Sequence, residues 1–343
     1  MNTCLPGPGP GPGPSPTGPG PGPGQEGDAQ RFDVLCLGEA LVDLLPERRG
    51  ALEDCGRFEA CSGGAPANVA TGLARLGLRV AFRGVVGDDP FGRMLARRLG
   101  AEGVECHLRF AAERATGLWF VALDARGERT FFSPNARFSA DKLVAPADVE
   151  RALLARARWL HVGSSAHVLP DGRAALRAAV AAARELGVLV SFDPNVRLHL
   201  WDDVAPLRRL CADVLPYCSV AKIAEDEAEL CTGERDPERA AARLVEMGVG
   251  IACVTLGARG AVVRRGADVV RVPAESVEVV DTTGAGDGFV AGFLAAVARA
   301  GPPTGLSLAE LERAASFASR VAGRVVGRVG AVAGLPRSSE ISI

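Results

Sequence analysis

Asp281-Thr282-Thr283-Gly284-Ala285-Gly286-Asp287-Gly288 is the stretch of this sequence best suited to chemistry. It runs directly into an apolar, helix-like segment. Small residues let the backbone N–H groups of 284–287 face outward without side-chain obstruction. A helix behind them adds the positive end of its dipole. Gly284, Ala285 and Gly286 then form an anion hole, with the Asp287 carboxylate at its mouth. A carboxylate so placed can take up a proton. An aspartate in a first helical turn can equally be a cap. Two acidic residues six apart around Gly-Ala-Gly make the chemical reading more specific. On the residues alone both readings stay open.

Such a turn has to be carried by a framework, and the apolar pattern supplies one. The runs 32–37 and 80–86 predict buried strands. Segments 67–76 and 91–99 predict helices, stopped by Gly77 and Gly100. The texture then changes. Segments 118–123 and 129–133 predict a hairpin around Gly127, uninterrupted by helix, which belongs to a small β layer apart from the main sheet. From about residue 148, strand and helix alternate. Strands are expected at 159–162, 189–193, 219–221 and 251–255. Helices are expected at 149–156, 173–186, 206–210, 225–232 and 237–247. An antiparallel pair, 260–264 with 269–272, precedes helices 286–299 and 308–321. Alternation of this kind specifies a parallel sheet covered by helices. No internal repeat is visible.

Composition removes several other classes. The 343 residues carry 39 Lys+Arg against 41 Asp+Glu, a net charge of -2. That balance argues against a strongly basic nucleic-acid binder. Only two of the basic residues are lysines, Lys142 and Lys222. Residues 5–24 are almost wholly alternating Gly and Pro. The period of two excludes a collagen helix, and residues 1–30 read as a disordered tail. No basic start leads into an apolar stretch, so no secretory signal is expected. No apolar run is long enough to span a membrane. The nine Cys form no C-x-x-C pair and show no zinc spacing with the four His. Free thiols in a reducing cytoplasm are expected. A P-loop, G-x-x-x-x-G-K-[ST], is absent, which excludes that class of kinase.

The D-T-T-G-A-G-D-G-F stretch resembles the second signature of the ribokinase-like (PfkB) carbohydrate kinases. Gly63-Gly64-Ala65-Pro66-Ala67-Asn68-Val69-Ala70, running on to Leu76-Gly77, resembles the first. Between and around them, further motifs occur in the family order. They are Gly38-Glu39-Ala40-Leu41-Val42-Asp43, Gly87-Asp88-Asp89-Pro90-Phe91-Gly92, Phe192-Asp193-Pro194-Asn195-Val196-Arg197 and Val254-Thr255-Leu256-Gly257-Ala258-Arg259-Gly260. The similarity covers roughly residues 32–336. It implies a three-layer α/β/α sandwich with a mostly parallel central sheet and a small β-strand lid, the lid strands falling within about 105–135. The kinase domain would span 31–337, with 338–343 a short C-terminal tail. Within the family, G-G-A-P-A-N-V-A, the G-E-A-L-V-D start and F-D-P-N-x-R-x-x-L-W look most like fructokinases. Ketodeoxygluconate kinases share much of this pattern.

The resemblance implies transfer of the ATP γ-phosphoryl to a primary sugar hydroxyl, with Asp287 as general base. The 284–287 amides would hold the transferring charge. Asp43, Gly63, Gly64 and Asn68 would hold sugar hydroxyls. Arg197 would reach a phosphate or an acidic substrate group, or be a solvated surface Arg. Asp193 and Asn195 would line the phosphate channel, and Trp201 would serve packing. Thr255, Gly257 and Gly260 would contact ATP, and Ala318, Ser319 and Gly323 would flank adenine. Lys222 precedes the family's N-x-x-E element, which organises Mg²⁺ through water. Here it reads Ala224-Glu225-Asp226-Glu227, so Glu227 is kept and the usual Asn or Ser is lost. Asp281, Thr283 and Gly330 match a monovalent-cation site, which leaves K⁺ open. A lid excludes water, and its strands can pair between two subunits as a homodimer. Three functions follow for testing: fructokinase, another sugar or nucleoside kinase such as a ketodeoxygluconate kinase, and a catalytically silent sugar-binding relative.

Overall fold

Alternate residues of the run Phe-Asp-Val-Leu-Cys-Leu face two separate apolar layers, and this decides the architecture. Val34 and Cys36 pack into one layer, Leu35 and Leu37 into the other. The strand they form, β1 (Phe32–Leu37), is therefore buried on both sides, as central parallel strands must be. The computed structural model describes residues 32–48, 50–123 and 129–343. The expected tail at 1–30 and the expected turn around Gly127 lie outside the described residues.

In chain order β1 is followed by β2 (Leu41–Pro46), β3 (Phe58–Gly63), α1 (Ala65–Arg75), β4 (Val80–Gly87), α2 (Pro90–Ala101) and β5 (Glu105–Ala111). Next come β6 (Leu118–Leu123), β7 (Arg129–Phe132), α3 (Arg151–Ala155), β8 (Ala157–Val162), α4 (Pro170–Glu185) and β9 (Leu189–Phe192). Then α5 (Val204–Val214), β10 (Val220–Ala224), α6 (Ala228–Thr232), α7 (Pro237–Glu246), β11 (Ile251–Thr255), β12 (Ala261–Arg265) and β13 (Asp268–Val272). The chain ends with α8 (Ala285–Ala300) and α9 (Leu308–Val326).

Among the described residues, nine strands form the large sheet in the order β13-β12-β11-β10-β9-β8-β1-β4-β5. From β5 to β11 the pairing is parallel, and β12 and β13 add an antiparallel edge. Helices α1, α8 and α9 cover one face, and α4, α5 and α7 the other. This is the ribokinase-like α/β sandwich the motifs imply. The strand order turns at β1: β4 lies on one side of it and β8 on the other. Open parallel sheets bind ligands at such a switch point, beyond the carboxyl ends of the strands.

A second sheet of four strands runs β3-β2-β6-β7. The expected hairpin is present, with Val121 opposite Phe131. The range 105–135 for the lid needs correcting. β5 lies inside that range but pairs in parallel with β4 at the edge of the large sheet. β2 and β3 lie outside it but build the lid, because Asp43 pairs with both Cys61 and Trp119. β3 was missed because it is only half-buried and carries no strong alternation. Residues 338–343, expected as a tail, run along the body. The Ser338 amide donates to the Arg75 carbonyl at 2.9 Å, and Arg320 donates to the Ser342 carbonyl at 2.8 Å.

Candidate active site

Asp287 sits in the first turn of α8 and is 7% exposed. It does not cap the helix. Its Oδ2 accepts from Asn68 Nδ2 at 2.8 Å, and its Oδ1 accepts from Asn195 Nδ2 at 3.4 Å. No side chain caps α8. The N-cap is Gly284, whose backbone is left-handed at φ 78°, and a Cβ there would come within 2.7 Å of Ala331. The Ala285 amide leans to the Thr282 carbonyl at 3.3 Å. The amides of Gly286 and Asp287 have no helical carbonyl behind them, as in any first turn. A bare helix start thus meets a carboxylate held from two other elements. Burial pushes Asp287 up to about 6, against the Asn68 hydrogen bond, with Asp193 adding and Lys222 and Arg197 opposing.

Lys222, on β10, reaches the same place. A methyl on Gly286 would lie 2.9 Å from its Nζ. The ammonium donates to Asp193 Oδ2 at 3.1 Å. Burial alone would lower its pKa, but Asp193, Glu227 and Asp287 hold it above the ordinary lysine range. Asp193 also receives the Asn195 amide at 3.0 Å on its other oxygen. Asn195 has φ 44° and is the one described non-glycine residue with positive φ. That conformation is available to Asn at modest cost, and its carboxamide is the one that touches Asp287.

Glu227 is buried at the start of α6. Its carboxylate accepts from the Val196 amide and, at 2.7 Å, from the Ala224 amide. It therefore braces the loops that follow β9 and β10. Burial holds it above the usual carboxylate range, against Lys222. Each oxygen keeps a further lone pair for water.

These groups border one cavity of about 530 Å³ beyond the strand ends. Asn68, Gly64, Asp43, Arg197, Thr255, Gly257, Thr283, Gly284, Gly286, Asp287, Lys222 and Glu227 all line it. Gly63 stands directly behind: a Cβ there would meet Asp43 Oδ2 at 2.2 Å. Gly64 starts α1 at φ 99°, and a Cβ would lie 2.5 Å from the Glu39 carbonyl. Leu41 and Asp43 of β2, Trp119 of β6 and Phe131 of β7 form the wall contributed by the small sheet. His199 lies edge-on to Trp119, with ring centroids 5.3 Å apart. Trp201 packs beside the core rather than lining the cavity.

Other expected site residues are placed differently. Gly260 does not line the cavity; its backbone is squeezed against β13, and a Cβ would meet the Val272 carbonyl at 1.9 Å. Ser319 also stands outside it, donating to the Pro273 carbonyl at 2.6 Å. Both residues fix the β13 end of the sheet. Asp281, Thr283 and Gly330 come together in one turn region. The Asp281 carboxylate accepts from the Thr283 amide at 2.9 Å, from its hydroxyl at 2.7 Å and from the Gly330 amide at 2.8 Å. The described residues hold no group of three or more His, Cys, Asp or Glu placed to bind a metal. The described cysteines are free thiols.

Sequence reasoning missed Glu39 and Lys142, which line the cavity although both are almost fully buried. Burial pushes Glu39 up to about 7, against Lys142, with Asp141 and Asp287 adding smaller pushes. The scarcity of lysine was the one signal that could have pointed to Lys142.

Residues 31–338 match the family described as pfkB family carbohydrate kinase. A fructokinase of Klebsiella pneumoniae is 39% identical over 307 residues, covering 89% of this chain and 96% of that protein. The Escherichia coli fructokinase is 39% identical over 312 residues, covering 90% and 97%. Among solved structures, fructokinase from Vibrio cholerae O395 with fructose, ADP and calcium bound superposes with TM-score 0.78 at 34% identity, covering 90% of this chain and 96% of that one. The aminoimidazole riboside kinase of Salmonella enterica, with its riboside and an ATP analogue, gives 0.76 at 30% identity, covering 89% and 97%. Fold, site geometry and these similarities agree: the chain belongs to the pfkB family of carbohydrate kinases and is an ATP-dependent sugar kinase.

Proposed function

We propose that this kinase phosphorylates D-fructose on its primary hydroxyl O6, giving fructose 6-phosphate. The observation that carries the mechanism is Asp287, clamped by Asn68 and Asn195 beside the uncapped start of α8 and the Lys222 ammonium. Phosphoryl transfer asks for positioning and for charge to be neutralised where it develops. Asn68 and Asn195 hold the Asp287 carboxylate toward the acceptor hydroxyl, whose proton it accepts. With its pKa raised to about 6, Asp287 is ionised at neutral pH yet more basic than an ordinary aspartate. The 284–287 turn and Lys222 stabilise the charge on the transferring group.

Asp43, Gly63, Gly64 and Asn68 hold the sugar. Gly63 and Gly64 matter because they allow β3 and α1 to approach Asp43 and Glu39 closely. Thr255 and Gly257 border the nucleotide, with Gly260 and Ser319 supporting that region from behind. Glu227 with the neighbouring Asp226 would hold the waters of a Mg²⁺ ion, which would supply further neutralisation of phosphate charge. The Asp281–Thr283–Gly330 turn is the candidate K⁺ site. The small sheet closes over the sugar and excludes water, and its exposed strand edge is the candidate surface for a homodimer. Fructose and ATP are the partners; the place of action is the cytoplasm.

A second reading is 2-keto-3-deoxygluconate. Arg197 is exposed on the cavity wall and its charge reaches Asp287; a guanidinium there suits a carboxylated sugar. A coupled ADP-release assay over fructose, ketodeoxygluconate, ribose, glucose and adenosine separates the readings. Fructose-selective turnover is expected. Selectivity for ketodeoxygluconate would replace the first reading by the second, and silence with every acceptor would leave a sugar-binding relative.

A further inference from the structure

The chain's two lysines, among 39 basic residues, both line the same cavity. Lys222 belongs to the phosphate-binding turn. Lys142 has no part in the chemistry described so far. It stands in the short 3-10 turn Ala140–Leu143, is 2% exposed, and donates to Asp141 Oδ2 at 2.6 Å. Asp141 Oδ1 is buried with no hydrogen-bond partner among the described residues. Glu39, just beyond the end of β1, is 3% exposed and lines the cavity, and its Oε2 is likewise without a partner. Asn68 Oδ1, on the same cavity, is a third such atom. Native structures rarely leave buried polar atoms unmet, so each asks for a group not yet present.

The chemistry of that group follows from the wall. Glu39 and Asp43 line the cavity together with Lys142, whose ammonium is bonded to the Asp141 carboxylate. Such a wall is rich in acceptors and repels a second anion. It suits a neutral polyol, whose hydroxyls can donate to carboxylates and accept from an ammonium. The ammonium is also compact: it offers three donors around one centre where a guanidinium needs a plane. Gly64 packs closely on the Glu39 backbone, where a Cβ at position 64 would lie 2.5 Å from the Glu39 carbonyl. The Glu39 carboxyl is therefore launched from a rigid point.

We infer that Glu39 and Lys142 form a hydroxyl-binding wall of the acceptor site, Glu39 through Oε2 and Lys142 through an ammonium hydrogen not taken by Asp141, and that this wall selects neutral ketoses over acidic sugars. The inference rests on the sugar kinase reading of the cavity. Burial of Glu39, which favours a carboxyl that shares a proton with a ligand, agrees with it.

The test measures ADP release by the full-length wild type, Glu39→Ala, Glu39→Gln and Lys142→Met with fructose, its monodeoxy analogues and ketodeoxygluconate. For Glu39→Ala and Lys142→Met the fructose KM should rise about 10- to 100-fold, the loss expected for one hydrogen bond to a charged group. The ATP KM should stay within about threefold, Glu39→Gln should recover part of the loss, and one monodeoxyfructose should lose the penalty it suffers in the wild type. A purely structural role would not produce that last effect. An unchanged fructose KM in both truncations, or a deoxy penalty that survives in them, overturns the inference while leaving the kinase reading intact. A wild type active on ketodeoxygluconate but not on fructose overturns the stated selectivity. No turnover with either sugar overturns the reading and the inference together.

Discussion

Asn68 Nδ2 lies 2.8 Å from Asp287 Oδ2, although the two residues are 219 apart in the chain. The contact joins the first turns of α1 and α8. It ties a residue expected to hold the sugar to the residue expected to take the sugar's proton. The two roles proposed for them are thus mechanically one unit.

Replacing the base should separate chemistry from folding. Asp287→Asn should lose about 10²- to 10⁴-fold in kcat, the usual worth of a positioned general base, while sugar affinity stays within a few-fold. The same variant should melt higher than the wild type at neutral pH. A carboxylate whose folded pKa is raised costs stability once it ionises. The rise from 3.8 to about 6 corresponds to at most about 3 kcal/mol. Steady-state kinetics and a melting curve check both halves; near-normal turnover would remove Asp287 from the mechanism.

The pH profile of kcat/KM for the sugar should carry the same signature. Asp287 must be ionised to accept a proton. Activity should therefore hold on the neutral side and fall through a midpoint near 6 as pH drops. The groups facing Asp287 are Asn68, Asn195, Asp193, Lys222 and Arg197, with Glu39 also within reach of its charge. Lys222→Met removes an opposing positive charge and should move that midpoint upward. A profile flat down to pH 5 would contradict the assignment.

Lys222 and Gly286 act on one point. Lys222→Met should lower kcat by about 10²- to 10³-fold, as loss of one charge-stabilising donor does. Gly286→Ala should give a milder loss in kcat with little change in sugar KM, because its methyl must displace an ammonium 2.9 Å away. If Gly286→Ala is fully active, the ammonium does not need the position it holds here.

Asn195 offers a way to divide backbone strain from side-chain function. Asn195→Ala loses the Asp287 contact and puts at φ 44° a residue without the polar side chain that lets Asn tolerate that region, where an ordinary L-residue costs roughly 1–2 kcal/mol. Asn195→Gly relieves the backbone and still lacks the carboxamide. The glycine variant should therefore regain stability over the alanine variant in denaturant titrations but share its lowered kcat. Recovery of kcat along with stability would mean that the loop's shape alone mattered.

Local pattern was enough to place much of this molecule. β1 and β11 lie where the apolar runs predict them, and the start of α8 falls at the Gly-Ala-Gly turn because small residues and a following apolar helix are local facts. The alternation of strands and helices after residue 148 specified the parallel sheet for the same reason. What no local pattern could decide is which ends of which strands meet. Only the order of strands about β1 brings Asn68, Asn195 and Lys222 to Asp287 from four separate elements. Packing alone moves Gly260 and Ser319 off the cavity and turns Glu227 into a brace for two loops. Glu39 and Lys142 were beyond reach for the same cause. Their meaning lies in burial without a partner, and burial is a property of the whole fold.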